Sequence, residues 1–295
     1  MKKINLMNVS KYMFSVSIAA MLVSCGGSDN KDASNESPVL DSAAQTSAEP
    51  EQVSYNLPSP LQIASLFQKS GLKYLEGVTN KQKDPSKYTA NYTKSLNLGV
   101  YGADLAYCVL NKQSQEALTY MKSSTQLASS LGMTSIFQEG GFVARFEKNI
   151  NNEDSLRNII AELQMATDTY LEDNEQQQIS AIAFAGAWTE AMYIGSRVFE
   201  KSKDKKLNNK ISEQMTILYK IVNVLKTHEA KDPGIGALVA DLNSLLETYT
   251  GFESVKKSKT ASAEDDPSLV VELTEKETAD LIKKITEIRN KFVNS

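Results

Sequence analysis

The chain has 295 residues, 41% of them hydrophobic, with 32 basic against 36 acidic side chains and a formal net charge of −4. That mild acidity argues against a nucleic-acid partner, which needs clustered lysine and arginine to displace counterions from phosphates. One histidine and two cysteines are too few for an ordinary zinc or di-iron site, and no His-Glu-x-x-His run is present, so neither a metal nor a cofactor is expected.

The first 24 residues carry Lys2, Lys3 and Lys11 and no acid. Their apolar run, roughly 12–23, is interrupted by Ser15 and Ser17 and falls short of the ~20 residues of a membrane-spanning helix, so it reads as a targeting segment. It closes on Leu22-Val23-Ser24-Cys25, followed by Gly26 and Gly27. This run resembles the cleavage box of bacterial lipoprotein precursors. The resemblance implies a signal peptide over 1–24, a Cys25 that receives diacylglycerol and acyl chains such as palmitate, and lipid anchoring at the cell envelope. The outer membrane is the expected location, with the body facing the periplasm or the surface. Removing 1–24 would take three lysines and no acid, leaving a net charge of −4 − 3 = −7.

From 25 to 57 the chain is Ser, Asp, Asn, Glu, Ala, Gln and Pro with scarcely an apolar residue, a composition that cannot offset the entropy of ordering. Its acids Asp29, Asp32, Glu36, Asp41, Glu49 and Glu51 face Lys31 alone, so it reads as a disordered acidic tether. With Cys25 modified, Cys108 has no disulfide partner; flanked by Tyr107, Val109 and Leu110, it is expected to be buried as a small hydrophobe.

Residues 58–295 read as a single all-α domain of about eight or nine helices, a compact multi-helix bundle or irregular antiparallel hairpins. Ser59-Pro60 opens the first helix with a capping serine, proline and then Gln62, and Asp84-Pro85 and Asp232-Pro233 repeat the logic, predicting helix starts near 60, 85 and 233. Helical spacing unites Ile63, Phe67, Tyr74 and Val78; then Leu156, Ile159, Ile160, Leu163 and Tyr170; then Leu207, Ile211, Met215, Leu218, Val222 and Leu225. Gly140-Gly141 should break or bend a helix. The cluster Lys201, Lys203, Lys205 and Lys206 reads as a solvated turn between helices. A flexible loop over about 251–272 is expected before a last amphipathic helix that starts at the capping box Thr274 to Glu277 and carries Leu281, Ile282, Ile285, Ile288 and Phe292 on one face.

Two segments, about 88–111 and 176–200, are apolar nearly all round and rich in Gly and Ala, which places them at the centre with closely approaching axes. Within them Asn97, Tyr101, Asp104 and Cys108 share one face at spacings of 4, 3 and 4, and Glu190, Tyr193 and Arg197 share another at 3 and 4. A buried carboxylate is costly unless paired, so Asp104 and Glu190 call for partners, Arg197, Arg145 or the tyrosine hydroxyls being the candidates. Asn97, Tyr101, Asp104, Trp188, Glu190, Tyr193 and Arg197 are therefore either a buried polar network or the lining of a small-ligand pocket.

There is no Gly-x-Ser-x-Gly elbow, no phosphate loop at Gly140-Gly141, and no histidine near Cys108. No catalytic residue is assigned and an enzyme is not expected. The reading that remains is a lipid-anchored helical module that binds an envelope protein partner or a small ligand. A structural or accessory envelope subunit is the rival, and a carboxylate-dependent hydrolase is a third.

Overall fold

The computed structural model describes residues 58–81, 85–261 and 271–294. The expected signal peptide, Cys25, the expected tether and the expected Asp84 cap lie outside them. The described residues contain twelve α-helices and no strand, and all belong to one compact unit. Those beyond the eight or nine expected come from short helices and one broken one.

Helix α1 (Pro60–Lys69) starts on the capping box seen in the sequence: Gln62 N–H donates to Ser59 Oγ and Ser59 N–H donates to Gln62 Oε1. It stops earlier than the spacing of Tyr74 and Val78 implied. Gly71 takes a φ of +97°, and the chain reverses with Gly71 N–H on Gln68 O and Leu72 N–H on Phe67 O, the glycine-terminated helix end. Tyr74 and Val78 thus belong to an irregular segment. Pro85 opens only a short 3₁₀ turn, Pro85–Lys87, and α2 (Asn91–Leu110) begins six residues later.

Helix α3 (Ser114–Ser130) follows α2 through a tight turn. The glycine pair separates α4 (Thr134–Gly140) from α5 (Phe142–Lys148) as expected, with Gly141 at φ +55°. Helix α6 (Glu153–Asp173) is capped by Asn152 and buries Leu156, Ile159, Ile160 and Leu163; α7 (Gln177–Ser202) is the longest helix described. The stripe from Leu207 to Leu225 is buried throughout, but it is carried by two helices, α8 (Lys205–Glu213) and α9 (Met215–Thr227), joined at Gln214. The hydroxyl of Thr216 takes the Glu213 carbonyl there, a side-chain competitor for the backbone ladder. A 3₁₀ turn, Glu229–Lys231, leads into α10 (Gly234–Thr250), where Asp232 accepts the Gly234 N–H.

The expected loop over 251–272 holds a further helix, α11 (Glu253–Ala261), tied down by Ser254 donating to Glu277 from both its backbone N–H and its hydroxyl. Helix α12 (Glu275–Asn294) has the predicted capping box, with Glu277 N–H on Thr274 Oγ1, and buries the predicted apolar face.

Helices α2 and α7 form the centre. A Cβ on Gly99 would fall 1.7 Å from the Ala183 carbonyl oxygen, and one on Gly186 would fall 2.1 Å from that of Leu96. Each helix therefore presses its backbone against the other at a glycine, the close approach that their small-residue content foretold. The two run in the same direction, because a few residues beyond this crossing Asp104 meets Glu190. Helix α1 lies parallel to both, with Gln68 Nε2 donating to the Leu110 carbonyl at its C-terminal end and Phe67 packed on Gly195.

Candidate functional site

The parallel crossing brings the predicted polar faces of α2 and α7 into one buried cluster. Asp104 and Glu190 are both fully buried and lie against each other. Their cationic partner is Arg289 on α12, which grips Glu190 through Nε on Oε2 at 2.7 Å and Nη2 on Oε1 at 2.8 Å. The Tyr193 ring covers the outer face of that guanidinium, with Cζ 4.4 Å from the ring centroid. Neither expected arginine takes part: Arg197 is exposed and pairs with Glu200, and Arg145 pairs with Glu162. Arg289 was legible in principle, since it stands four residues after Ile285 and three before Phe292, inside the apolar stripe of its helix.

The second missed component is the segment between α1 and α2. Asn80 N–H donates to Asp104 Oδ2 at 3.2 Å, and Tyr120 donates from its hydroxyl to the Asn80 carbonyl at 2.8 Å. Thr79 donates to Glu116, and Tyr107 accepts the Leu75 N–H while donating to the Lys73 carbonyl. The buried part of this irregular segment has no helical ladder to satisfy its backbone groups, and here Tyr107, Tyr120 and Asp104 do so from α2 and α3.

Electrostatically the cluster holds two acids for one guanidinium. Burial, and next the Glu190 charge, push the Asp104 carboxyl well above its ordinary value, with Arg289 opposing. Burial also raises Glu190, against the two Arg289 hydrogen bonds. For Arg289 itself burial works against the charge, but the bidentate contact with Glu190 outweighs it and raises the pKa. The consistent charge state is ionised Glu190 paired with Arg289, beside a protonated Asp104. Its Oδ1 has no hydrogen-bond partner among the described residues, and its Oδ2 takes the Asn80 N–H.

Of the aromatic candidates, Tyr101 packs beside this cluster, whereas Trp188, two residues before Glu190, stands on about the opposite face of α7. Tyr101 and Trp188 are both fully buried; Tyr101 meets Tyr88 edge-on at 6.5 Å and Tyr120 at 6.0 Å. Asn97 donates to the carbonyls of Thr93 and Phe292, which ties α2 to the end of α12. Cys108 is buried as expected, and burial pushes its thiol pKa upward, away from a reactive thiolate. His228 follows the last turn of α9, where the helix dipole favours a cation, but burial and the neighbouring Lys231 lower its pKa.

Two of the seven candidates reach the surface. Tyr193 and Arg197, with Glu200 and Lys201, form one wall of a groove of about 460 Å³ whose other wall is the irregular stretch from Leu75 to Val78. Among the described residues no group of three His, Cys, Asp or Glu side chains could hold a metal ion, and no helix is long and apolar enough to cross a membrane. Comparisons with protein-family models, with curated proteins and with solved structures return no match.

Proposed function

We propose that this protein is a lipid-anchored interaction module of the cell envelope, held by Cys25 and meeting a protein partner through its surface, without chemistry of its own. The observation that carries this reading is the filled centre. Asp104, Glu190 and Tyr101 come together, but each is fully buried, with Tyr88 and Tyr120 packed on Tyr101, so a ligand has no space between them; Trp188 is fully buried as well. Recognition then falls to the exterior, where the groove beside Tyr193 and Arg197 is bounded by Glu76, Glu200 and Lys201 and offers mixed charge next to one aromatic ring.

Two experiments test the two halves. A photo-crosslinking residue placed in living cells at Glu76 or Glu200 should trap a defined partner that the same residue at Lys226 does not; recovery of free monomer from all three positions counts against the module. Cys25→Ser should release the protein from the membrane fraction or leave it unprocessed. Membrane retention with unchanged processing would sink the anchor.

A further inference from the structure

Because α1, α2 and α7 run the same way, their C-terminal ends meet at one end of the bundle. The sequence distributes lysines over three distant segments that this arrangement gathers there: Lys69 and Lys73 around the end of α1, Lys112 after α2, and Lys201, Lys203, Lys205 and Lys206 around the α7–α8 turn. The segments touch: a Cβ on Gly71 would come within 2.7 Å of Asp204 Oδ2, and Gln68 bonds the Leu110 carbonyl. All seven lysines are exposed. Lys205 faces Glu272 at 3.4 Å, and Lys203 lies over the Phe199 ring. The acids nearby are Glu76, Glu116, which accepts from Tyr74 and Thr79, Asp204, which caps α8, Glu200, already paired with Arg197, and Glu272.

Local helix energetics explain only part of this gathering. Lys69 and Lys201 lie in the last turns of their helices, where the dipole favours cations. Lys205 and Lys206 occupy the first turn of α8, the end that disfavours them. Lys112 and Lys203 adopt φ of 60° and 56°, a left-handed conformation that favours glycine. Four of the seven therefore stand against local preference, and they do so in a chain whose net charge is −4.

We infer that this lysine-bearing end is a docking surface for the anionic lipid headgroups of the membrane. The inference rests on the lipid-anchor reading for its choice of partner. Cys25 lies 33 residues before Pro58, a stretch that can span at most about 120 Å, whereas the ten residues of α1 separate Pro60 from the lysine end by about 15 Å. The surface is thus within reach of a membrane that holds the anchor, and tethering raises its effective concentration there. The acidic remainder of the body is repelled by the same headgroups, so the contact also orients the protein, with the groove at Tyr193 and Arg197 near the lipid surface.

The test uses the full chain with Cys25→Ser, which carries no acyl group, and vesicles of phosphatidylcholine with or without about one-third phosphatidylglycerol. The phosphatidylcholine arm reads any insertion of the apolar run 12–23. Co-sedimentation should require phosphatidylglycerol and be lost at about 0.5 M salt. Each lysine that reaches an anionic surface strengthens binding about fivefold, so reversing four (Lys73→Glu, Lys201→Glu, Lys203→Glu, Lys206→Glu) should weaken it at least about a hundredfold. Reversing Lys148, Lys220, Lys226 and Lys231, which lie elsewhere on the body, should leave most of it. Circular dichroism confirms that both variants are folded. Equal binding to the two vesicle types, or equal losses in the two variants, overturns the inference. Acylation is read separately by labelled palmitate on the unmutated chain: no incorporation with intact vesicle selectivity removes the anchor and leaves the surface standing, and incorporation without selectivity does the reverse.

Discussion

Replacing Asp104 by asparagine tests the charge state of the core directly. Asparagine keeps the shape of a protonated aspartic acid: its amide can donate toward Glu190 as the acid proton does, and its oxygen can still accept the Asn80 N–H. An ionised Asp104 would instead be a second buried anion beside Glu190 with one guanidinium between them. Because its folded pKa is raised, the folded state holds a proton that the unfolded chain releases above about pH 3.9. The stability it contributes is fully present below that value and is lost as pH rises toward the folded pKa, at about 1.4 kcal/mol per pH unit. Asp104→Asn should therefore match or exceed the parent at neutral pH, with an advantage that widens by about 1.4 kcal/mol per pH unit between about 3.9 and the raised folded pKa. Urea unfolding followed by far-UV circular dichroism at a series of pH values measures this difference. A variant that loses more than about 1 kcal/mol at neutral pH, or whose stability tracks the parent across the series, would show that Asp104 works as a carboxylate and refute the reasoning.

Gly186→Ala and Gly102→Ala should have opposite signs in the same unfolding assay. The new Cβ at 186 meets the backbone of α2, which cannot yield, and should cost at least about 2 kcal/mol; at 102 the nearest atom is Pro60 Cγ at 4.0 Å, so helix propensity should give a gain of about 0.5–1 kcal/mol. Glu277→Ala removes the acceptor shared by Ser254 and Thr274 and should cost about 1–2 kcal/mol. Against slight burial, those hydrogen bonds hold the Glu277 pKa at about 2, so its contribution is complete above about pH 4.5 and fades as pH falls toward about 2, a titration the alanine variant should lack. Arg289→Met strands the Glu190 carboxylate and should cost about 3–5 kcal/mol, whereas Asp104→Leu, Glu190→Met and Arg289→Met together should be nearly neutral; a triple variant as unstable as the single one would mean that the cluster, and not its pairing, carries the stability.

The elements with the plainest local chemistry were legible. Ser59-Pro60-Gln62 and Thr274-Glu277 announced α1 and α12 because the capping atoms lie within four residues of each other. The two central helices were marked by apolar residues on every side, and their contact by Gly99 and Gly186. The segment after Lys69 was misread because the apolar spacing of Tyr74 and Val78 continues by coincidence through Gly71, whose positive φ overrides the periodicity. That Asp104 and Glu190 needed partners followed from burial alone, but the partner's identity did not. Arg289 lies 99 residues from Glu190, and Asn80 contributes a backbone N–H that any residue except proline would supply. Such a donor leaves no trace in side-chain chemistry.

The polar cluster also bears on why α2 and α7 adopt this one arrangement. Small residues permit a close crossing in either direction, so Gly99 and Gly186 do not by themselves choose between parallel and antiparallel packing. The acids do. Five residues beyond Gly99 stands Asp104, and four beyond Gly186 stands Glu190; parallel helices bring the pair together under a single arginine. In an antiparallel crossing the two carboxyls would lie on opposite sides of the contact, each buried among apolar side chains and only one within reach of Arg289. In the parallel arrangement the protonated Asp104 and the Arg289 guanidinium both serve the Glu190 carboxylate, and Asp104 Oδ2 also takes the Asn80 N–H; apart, a buried Glu190 or Asp104 would lose such partners at a cost of several kcal/mol. The parallel sense in turn decides which helix ends share a face of the molecule, and so where Lys112 stands relative to Lys69 and Lys203. Surface charge in this protein is laid out by the pairing requirement of its core.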